Sequence, residues 1–239
     1  MFCKGTVGKI FVENYVLLAI LIGVALISLS IGPFQTLNTQ LEFDTTKSIL
    51  INGWPYLPST GEIVNEPPLG FYTAALFFKV FSFTLEGGTY LVTLFGLGCA
   101  FRVYKIGKEL YGKTAGLFGA AFFALAPWEL FLSRAFLIDT QCLFLCLVCL
   151  YFGILSIRKD SGKLALISGI FFAAALLTKL YAVFMLVPVA DFVHLPSTQK
   201  TKADTYSICR LLYACIILHF FMVPTHPKNR LTHIHFWSQ

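Results

Sequence analysis

Long apolar runs separated by short polar segments dominate the chain from Tyr15 onward. The first run, Tyr15 to Phe34, is uncharged over about 20 positions, enough for a helix to cross a hydrocarbon layer of about 30 Å. It exceeds the apolar core of a signal peptide, about 7–15 residues, so we interpret it as a retained membrane helix rather than a cleaved leader. The later apolar runs are 67–83, 87–104, 114–128, 140–157, 164–195 and 211–224.

This pattern predicts an all-α fold, a polytopic transmembrane bundle of about six to eight membrane segments. The run 164–195 is too long for one span and holds Lys179 near its middle, so we expect it to fold back as two helices. We expect a membrane module over residues 1–197. Residues 198–239 would then form a cytoplasmic loop, the last apolar helix (211–224) and a polar tail.

The composition argues against a soluble protein. The chain is 57% hydrophobic and 13% charged, whereas an average soluble domain is about 45–50% apolar and about 25% charged. The net charge of +6 comes from cations in short segments between apolar runs, so it indicates orientation in a membrane and not nucleic-acid binding. The cations expected in the cytoplasm are Lys4, Lys9, Arg102, Lys105, Lys108, Lys113, Arg158, Lys159, Lys163, Lys200, Lys202 and Arg210.

This orientation places the polar segment 35–66 outside and 102–113 inside, so an odd number of crossings must separate them. Two apolar runs lie between them. We therefore expect 67–83, which contains Lys79, to lie at the outer interface instead of spanning; a full span is the alternative. The chain is predicted to be a multi-pass protein of the plasma membrane or endoplasmic reticulum, with its active site facing outside or the lumen.

Segment 35–66 is polar, contains four acidic residues and is expected to form a helical first outer loop. Asp44 lies about ten residues after the first predicted membrane helix, where a carboxylate could take a proton from a hydroxyl acceptor. An ordinary solvated acid is the alternative interpretation. Glu42 and Glu66 are possible substrate contacts or helix-start residues, because negative charge is favourable at a helix N-terminus.

Two further sites carry charge at or within apolar runs. Arg134 and Asp139 lie at the predicted outer mouth of the 140–157 helix, where an arginine could bind a phosphate or merely pair with the acid. Lys179 interrupts an apolar run, where an unpaired ammonium would be costly. It should lie in a turn, at the interface or against an anion such as a lipid phosphate. The alternative is a side chain that extends to the interface without binding a ligand.

Other motifs add little chemistry. Gly112, Gly116 and Ala120 are spaced i, i+4, i+8 and predict close helix packing. We expect no cofactor and assign no metal site. A divalent cation held by the carboxylates of Asp44, Glu66 and Asp139 is conceivable.

Three segments in order resemble membrane glycosyltransferases of the GT-C fold, and among them the dolichyl-phosphate-mannose–protein mannosyltransferases. They read NGWPYLPSTGEIVNEPPLGFY, LYGKTAGLFGAAFFALAPWELFLSRAFLIDTQCLF and AALLTKLYAVFMLVP, and the likeness covers roughly residues 10–195. Such enzymes usually have more membrane helices, so the resemblance implies that this chain corresponds to an N-terminal half.

The resemblance implies a role for each matching residue. Asp44 matches the first-loop catalytic acid, Asp139 the second acidic residue, and Lys179 a lysine that contacts the lipid phosphate. Glu66 departs from the pattern, because many members have Lys or His before the Pro pair. Asp44 is followed by Thr45 where protein mannosyltransferases often have Glu, which argues against a protein acceptor specifically.

The resulting hypothesis is an enzyme that transfers a hexose-type sugar from a polyprenyl-phosphate donor to a hydroxyl acceptor on protein, lipid or glycan. Asp44 would act as the base, and Arg134 and Lys179 would neutralise the phosphate. The donor, the acceptor and membrane lipid are the expected partners, without nucleic acid. The alternative is a non-catalytic membrane protein, such as a truncated half-enzyme or a lipid-binding or transport subunit.

Overall fold

The computed structural model describes residues 4–57, 61, 63–64, 66–81 and 83–185, with side chains from residue 15 onward. This part is all-helical, as predicted, and apart from two isolated β-bridges it contains no strand. Residues 186–239, including the predicted boundary at 197 and the helix at 211–224, lie outside it. The helices are α1 (Lys4–Ile31), α2 (Leu37–Asn52), α3 (Leu69–Val80), α4 (Leu85–Tyr111), α5 (Lys113–Leu125), α6 (Pro127–Leu132), α7 (Asp139–Arg158) and α8 (Gly162–Leu176), followed by a 3-10 helix, Leu180–Met185.

Among the described helices, α7 is long and apolar enough to cross a membrane. If the bent pair α3–α4 is treated as a single span, the described residues contain two candidate spans. The axes of α3 and α4 differ by 119°. With 12 residues, α3 extends only about 18 Å at 1.5 Å per residue, less than a bilayer core. The placement of 67–83 at the outer interface, with a full span as the alternative, stays a prediction. The count of six to eight segments stays a prediction.

Helix α2 lies within residues 35–66 and confirms that this segment is partly helical; its outer location stays a prediction. Thr36 caps its N-terminus in a reciprocal pair with Thr39, each side chain accepting from the other's backbone N–H. Gly53 ends it in a left-handed conformation (φ 81°), with its N–H donating to Ile49 O at 2.9 Å. These caps fix the ends of the helix that carries both Glu42 and Asp44.

Helices α4 and α5 pack closely through small residues, as the spacing predicted. A Cβ at Gly116 would lie 2.7 Å from Tyr104 O, so only glycine permits this approach. Ala120 is fully buried against Tyr104 and Leu17. Gly112 supplies the turn between the helices, with φ 90°.

Helices α7 and α8 form a hairpin whose two ends differ in charge. At its turn, Arg158 lies 3.7 Å from Glu109 at the end of α4. At the opposite end, α7 begins at Asp139 and α8 ends at Leu176, just before Lys179. The predicted break at Lys179 is therefore present, and residues 186–195 of that apolar run lie outside the described residues. The hairpin separates a cationic end from the end that holds the candidate site.

Candidate active site

Four charged side chains meet where α2, the segment before α3, the start of α7 and the end of α8 come together. The Lys179 ammonium lies 3.0 Å from Glu66 Oε2, 3.2 Å from Glu42 Oε1 and 3.8 Å from Asp139 Oδ2. We call Glu42, Glu66, Asp139 and Lys179 the acid–lysine cluster. Its members come from distant parts of the chain, so only the tertiary fold assembles it.

Lys179 is placed by the way α8 ends. The buried Thr178 hydroxyl donates to Ala174 O at 2.9 Å, and the Lys179 N–H donates to Ala175 O at 2.9 Å. The Leu69 N–H donates to Leu177 O at 2.9 Å, which ties the end of α8 to the start of α3. These bonds satisfy terminal groups of α8 and α3 and hold the lysine backbone beside the three acids.

Glu42 is the most buried acid of the cluster, at 9% exposure. Its Oε2 accepts the Ile138 backbone N–H at 2.7 Å, at the N-terminus of α7, where the helix dipole favours negative charge. Burial nevertheless outweighs the attraction of Lys179 and this hydrogen bond, and raises the pKa of Glu42 to about 8. A carboxyl with this pKa exchanges a proton near neutral pH.

Lys179 stays protonated. Burial alone would lower its pKa, but the charges of Glu42, Asp139 and Glu66 outweigh burial and raise the pKa above its usual range. Three carboxylates around one ammonium leave the cluster with excess negative charge whenever all of them are ionised. Protonation of Glu42 relieves part of that excess, which agrees with the direction of its pKa.

Asp139 is held through the carboxylate oxygen that does not face Lys179. The Tyr181 hydroxyl, on the 3-10 helix, donates to Asp139 Oδ1 at 2.8 Å. The Asp139 side chain is 20% exposed, compared with 11% for Glu42. Nearby, Thr73 Oγ1 donates to Gln141 Oε1 at 2.8 Å and so joins α3 to α7. Asp139 is thus a fixed carboxylate with a partly open face.

The model of one protein family, dolichyl-phosphate-mannose–protein mannosyltransferase, matches residues 65–226, more than half of the chain. The chain belongs to this family. Members are membrane proteins, and the family activity is glycosyl transfer from dolichyl-phosphate-mannose. No curated protein matches the chain.

The match to the mannosyltransferase family includes Glu66, Arg134, Asp139 and Lys179 but begins after α2. It therefore does not decide which acid of α2 has a catalytic role. In the part of the chain that the structure describes, no three His, Cys, Asp or Glu side chains are arranged to hold a metal ion. The centre of the acid–lysine cluster is filled by the Lys179 ammonium.

Asp44 lies outside the acid–lysine cluster of this mannosyltransferase-family chain. It is two residues from Glu42 on a regular helix, about 200° around the axis. Its two carboxylate oxygens each lie 3.2 Å from Gln40 Nε2, one turn earlier on the same face. Asp44 therefore lies apart from Asp139 and Lys179, because helix geometry directs Glu42 and not Asp44 inward. The catalytic role of Asp44 that the resemblance implies stays a prediction.

Arg134 also lies apart from the cluster. Its Nε donates to Leu130 O at 3.1 Å, and its own carbonyl accepts the Phe34 N–H at 3.0 Å. Among the described residues the guanidinium forms no ion pair with Asp139. Arg134 thus connects α6 to the segment after α1 in this structure, and its phosphate-binding role stays a prediction.

Glu66 has a different environment from the one expected of a helix-start residue. Helix α3 begins at Leu69 with Pro68 as its N-cap, so Glu66 precedes the first turn. Its half-exposed carboxylate instead pairs with Lys179. Glu66 lies two residues before the N-cap, and its role as a substrate contact or helix-start residue stays a prediction.

Two residues of interest were not singled out from the sequence. Tyr181 follows Lys179 by two positions, and nothing in an apolar run marks one tyrosine as a partner of Asp139. Glu129, on α6, is 4% exposed with its Oε1 unpaired among the described residues, and burial raises its pKa to about 8. A signal did exist for Glu42: it shares a helical face with Thr46 and Ile49, which are buried.

Proposed function

We propose that this chain transfers a hexose from a polyprenyl-phosphate donor to a hydroxyl acceptor at the extracytoplasmic membrane surface, with the acid–lysine cluster as its active site. Membership of the mannosyltransferase family supports the reaction class. The observation that carries the proposal is the meeting of Glu42, Asp139 and Lys179. It combines a proton acceptor with a cation beside it, which this reaction requires.

In the proposed step, Glu42 takes the proton of the acceptor hydroxyl. The acceptor oxygen attacks the anomeric carbon of the donor sugar, a new glycosidic bond forms, and the bond from that carbon to the phosphate oxygen breaks. The electron pair leaves with the lipid phosphate, and the anomeric configuration inverts. A raised pKa suits Glu42 to this role, because a general base works best with a pKa near the operating pH.

Lys179 would stabilise the charge that develops on the leaving phosphate. Its ammonium remains protonated at physiological pH and has three N–H donors. Preorganised cations and hydrogen-bond donors near developing charge supply much of the rate enhancement of many enzymes. To contact the donor phosphate, Lys179 must exchange at least one of its carboxylate partners for a phosphate oxygen, and the half-exposed Glu66 is the partner most accessible to the donor.

Asp139 would orient the acceptor. Tyr181 fixes one of its oxygens, while the other lies 3.8 Å from Lys179 and the side chain keeps some exposure. A carboxylate in this state can accept a second hydroxyl of a sugar or acceptor. It would thereby place the reacting oxygen near Glu42.

The direct test is transfer of radiolabelled sugar from a short polyprenyl phosphate to lipid, glycan and peptide acceptors by the full chain in proteoliposomes. The proposal predicts labelled product with one acceptor class, lost in Lys179→Met. Transfer by Lys179→Met at the unchanged rate contradicts the assignment of the cluster.

A non-catalytic lipid-binding or transport subunit is the second candidate, and one observation favours it. Lys179 is already surrounded by three carboxylates, an arrangement that can be purely structural. This candidate predicts saturable binding of polyprenyl phosphate without turnover, measured by co-purification of labelled lipid. Labelled product in the transfer assay excludes it.

A further inference from the structure

A second candidate site lies on the side of α2 that carries Asp44. A cavity of about 590 Å³ opens between this helix and the segment that follows it. Its polar lining comes from Asp44, Lys47, Ser48, Asn52 and Tyr56, and Ile51, Leu57 and Gly61 complete it. Small-molecule sites typically enclose about 300–1,000 Å³. The cavity therefore has the size of a binding site and is lined by groups that the proposed transfer step does not use.

This cavity and the acid–lysine cluster use different faces of α2. Asp44, Lys47 and Ser48 are spaced i, i+3, i+4 and share one face, with Gln40 one turn before Asp44. Glu42 lies on the opposite, buried face. A ligand in the cavity would contact Asp44 without contacting Glu42.

Hydrogen bonds hold the segment after α2, which forms one side of the cavity, against α2 and α3. Ser48 Oγ donates to Trp54 O at 2.8 Å and accepts the Tyr56 N–H at 2.7 Å, which fastens this segment to α2. The Tyr72 hydroxyl donates to Gly53 O at 3.0 Å and connects the same segment to α3. These contacts preform the shape that a ligand would meet, which reduces the entropic cost of binding.

The polar groups on the cavity favour an uncharged ligand rich in hydroxyls. The two Asp44 oxygens are oriented by one Gln40 amide, and a carboxylate offers about four acceptor positions, so capacity remains for ligand hydroxyls. Lys47 adds an exposed ammonium with donors, and Asn52 adds an amide with both donors and an acceptor. Asp44 and Lys47 carry opposite charges on one face of α2, so together they give the cavity no net charge that would favour an anionic or a cationic ligand over a neutral one.

We propose that this cavity binds a neutral carbohydrate unit, through Asp44, Lys47 and Asn52, at a site distinct from the transfer centre. Tyr56 adds an aromatic side chain to the lining, and aromatic rings commonly supply the apolar part of small-molecule sites. The site would retain a glycan on the surface of the protein while a different group reacts at the cluster. This inference does not depend on the transfer activity itself.

The test is a binding titration of the full chain in phosphatidylcholine nanodiscs, which avoids detergents with sugar head groups. The probe is methyl α-D-mannopyranoside, followed by saturation-transfer difference NMR, with mannose 6-phosphate as the charged counterpart. We expect saturable binding of the neutral sugar, weakened roughly tenfold or more in Asp44→Ala, the scale of one lost charge-assisted hydrogen bond. Binding should be weaker for mannose 6-phosphate.

Two controls make the result decisive. Asp44→Asn keeps the side-chain shape and should weaken binding less than Asp44→Ala, and circular dichroism checks that both variants stay helical. Glu42→Gln, on the other face of α2, should bind the sugar with unchanged affinity whether or not the chain transfers sugar. No saturable binding by the unchanged chain, equal binding by Asp44→Ala, or tighter binding of the phosphorylated sugar would each overturn the proposal.

Discussion

Glu42 carries the proposed chemistry at the scale of single residues. Because burial raises its pKa to about 8, a base at this position is mostly protonated at pH 6 and mostly ionised at pH 9. The rate of transfer should therefore rise with pH and level off above about 8. An initial-rate profile between pH 5.5 and 9.5 measures this, and a rate independent of pH across that range would contradict the assignment of Glu42 as base.

Glu66 should oppose donor binding. Its carboxylate lies 3.0 Å from the Lys179 ammonium, in the place a phosphate oxygen would need. Glu66→Gln removes a charge that repels phosphate, so the KM for the polyprenyl-phosphate donor should fall several-fold with little change in kcat, which fits a loss of about 1 kcal/mol of repulsion. Glu109→Gln, near Arg158 at the other end of the hairpin, removes the same charge and should leave the KM unchanged.

Glu129 makes stability depend on pH. Its folded-state pKa of about 8 lies above the ordinary 4.5, so between these values the folded protein binds more protons than the unfolded one. The free energy of unfolding should therefore fall by a few kcal/mol as pH rises from about 4.5 to about 8, and stay level beyond.

Thermal unfolding of the unchanged chain and Glu129→Gln, compared at pH 5 and pH 8.5, measures this difference. The variant should gain stability relative to the unchanged chain at pH 8.5 but not at pH 5. An equal difference at both pH values would show that Glu129 is ionised in the folded state.

Between helices α4 and α5, main-chain atoms lie so close that they leave no room for a side chain at Gly116. A Cβ at Gly116 would lie 2.7 Å from Tyr104 O and 2.8 Å from Lys108 N, and main-chain atoms cannot yield as a flexible side chain can. Gly116→Ala should therefore lower the free energy of unfolding by about 1–3 kcal/mol. Gly169, on α8, has open space at its Cβ, and Gly169→Ala should instead stabilise by about 0.5–1 kcal/mol. Chemical unfolding of both variants compares them; equal effects would contradict a close α4–α5 packing.

The helices were largely predictable from the sequence because apolar runs and their breaks are local. The break at Lys179, the helix within residues 35–66 and the glycine contact of α5 all followed from nearby residues. The choice between Glu42 and Asp44 did not, because both acids are polar positions in one polar segment. Which of them faces inward depends on the start of α7 and the end of α8, where Ile138 and Lys179, 96 and 137 positions away along the chain, bind Glu42.

At the scale of the whole molecule, the α7–α8 hairpin places the acid–lysine cluster and the cationic turn at opposite ends. We therefore expect the two ends to face opposite sides of the membrane, with the cationic turn in the cytoplasm. An impermeant maleimide added to intact cells should label Lys47→Cys, near the cluster end, and should label Lys159→Cys only after permeabilisation. Background labelling of the unchanged chain is subtracted. The reverse pattern would contradict the proposed orientation.

In the proposed reaction the base is the inward acid of α2, Glu42, and not its neighbour Asp44. The measurement that tests this compares the initial transfer rates of Glu42→Gln and Asp44→Asn at equal levels of folded protein. Each variant removes one negative charge, and the two positions lie two residues apart on the same helix. The rate of Glu42→Gln should fall at least about a hundredfold, the scale of general base catalysis, whereas Asp44→Asn should keep most of its activity. Loss in Asp44→Asn with full activity in Glu42→Gln would contradict the account.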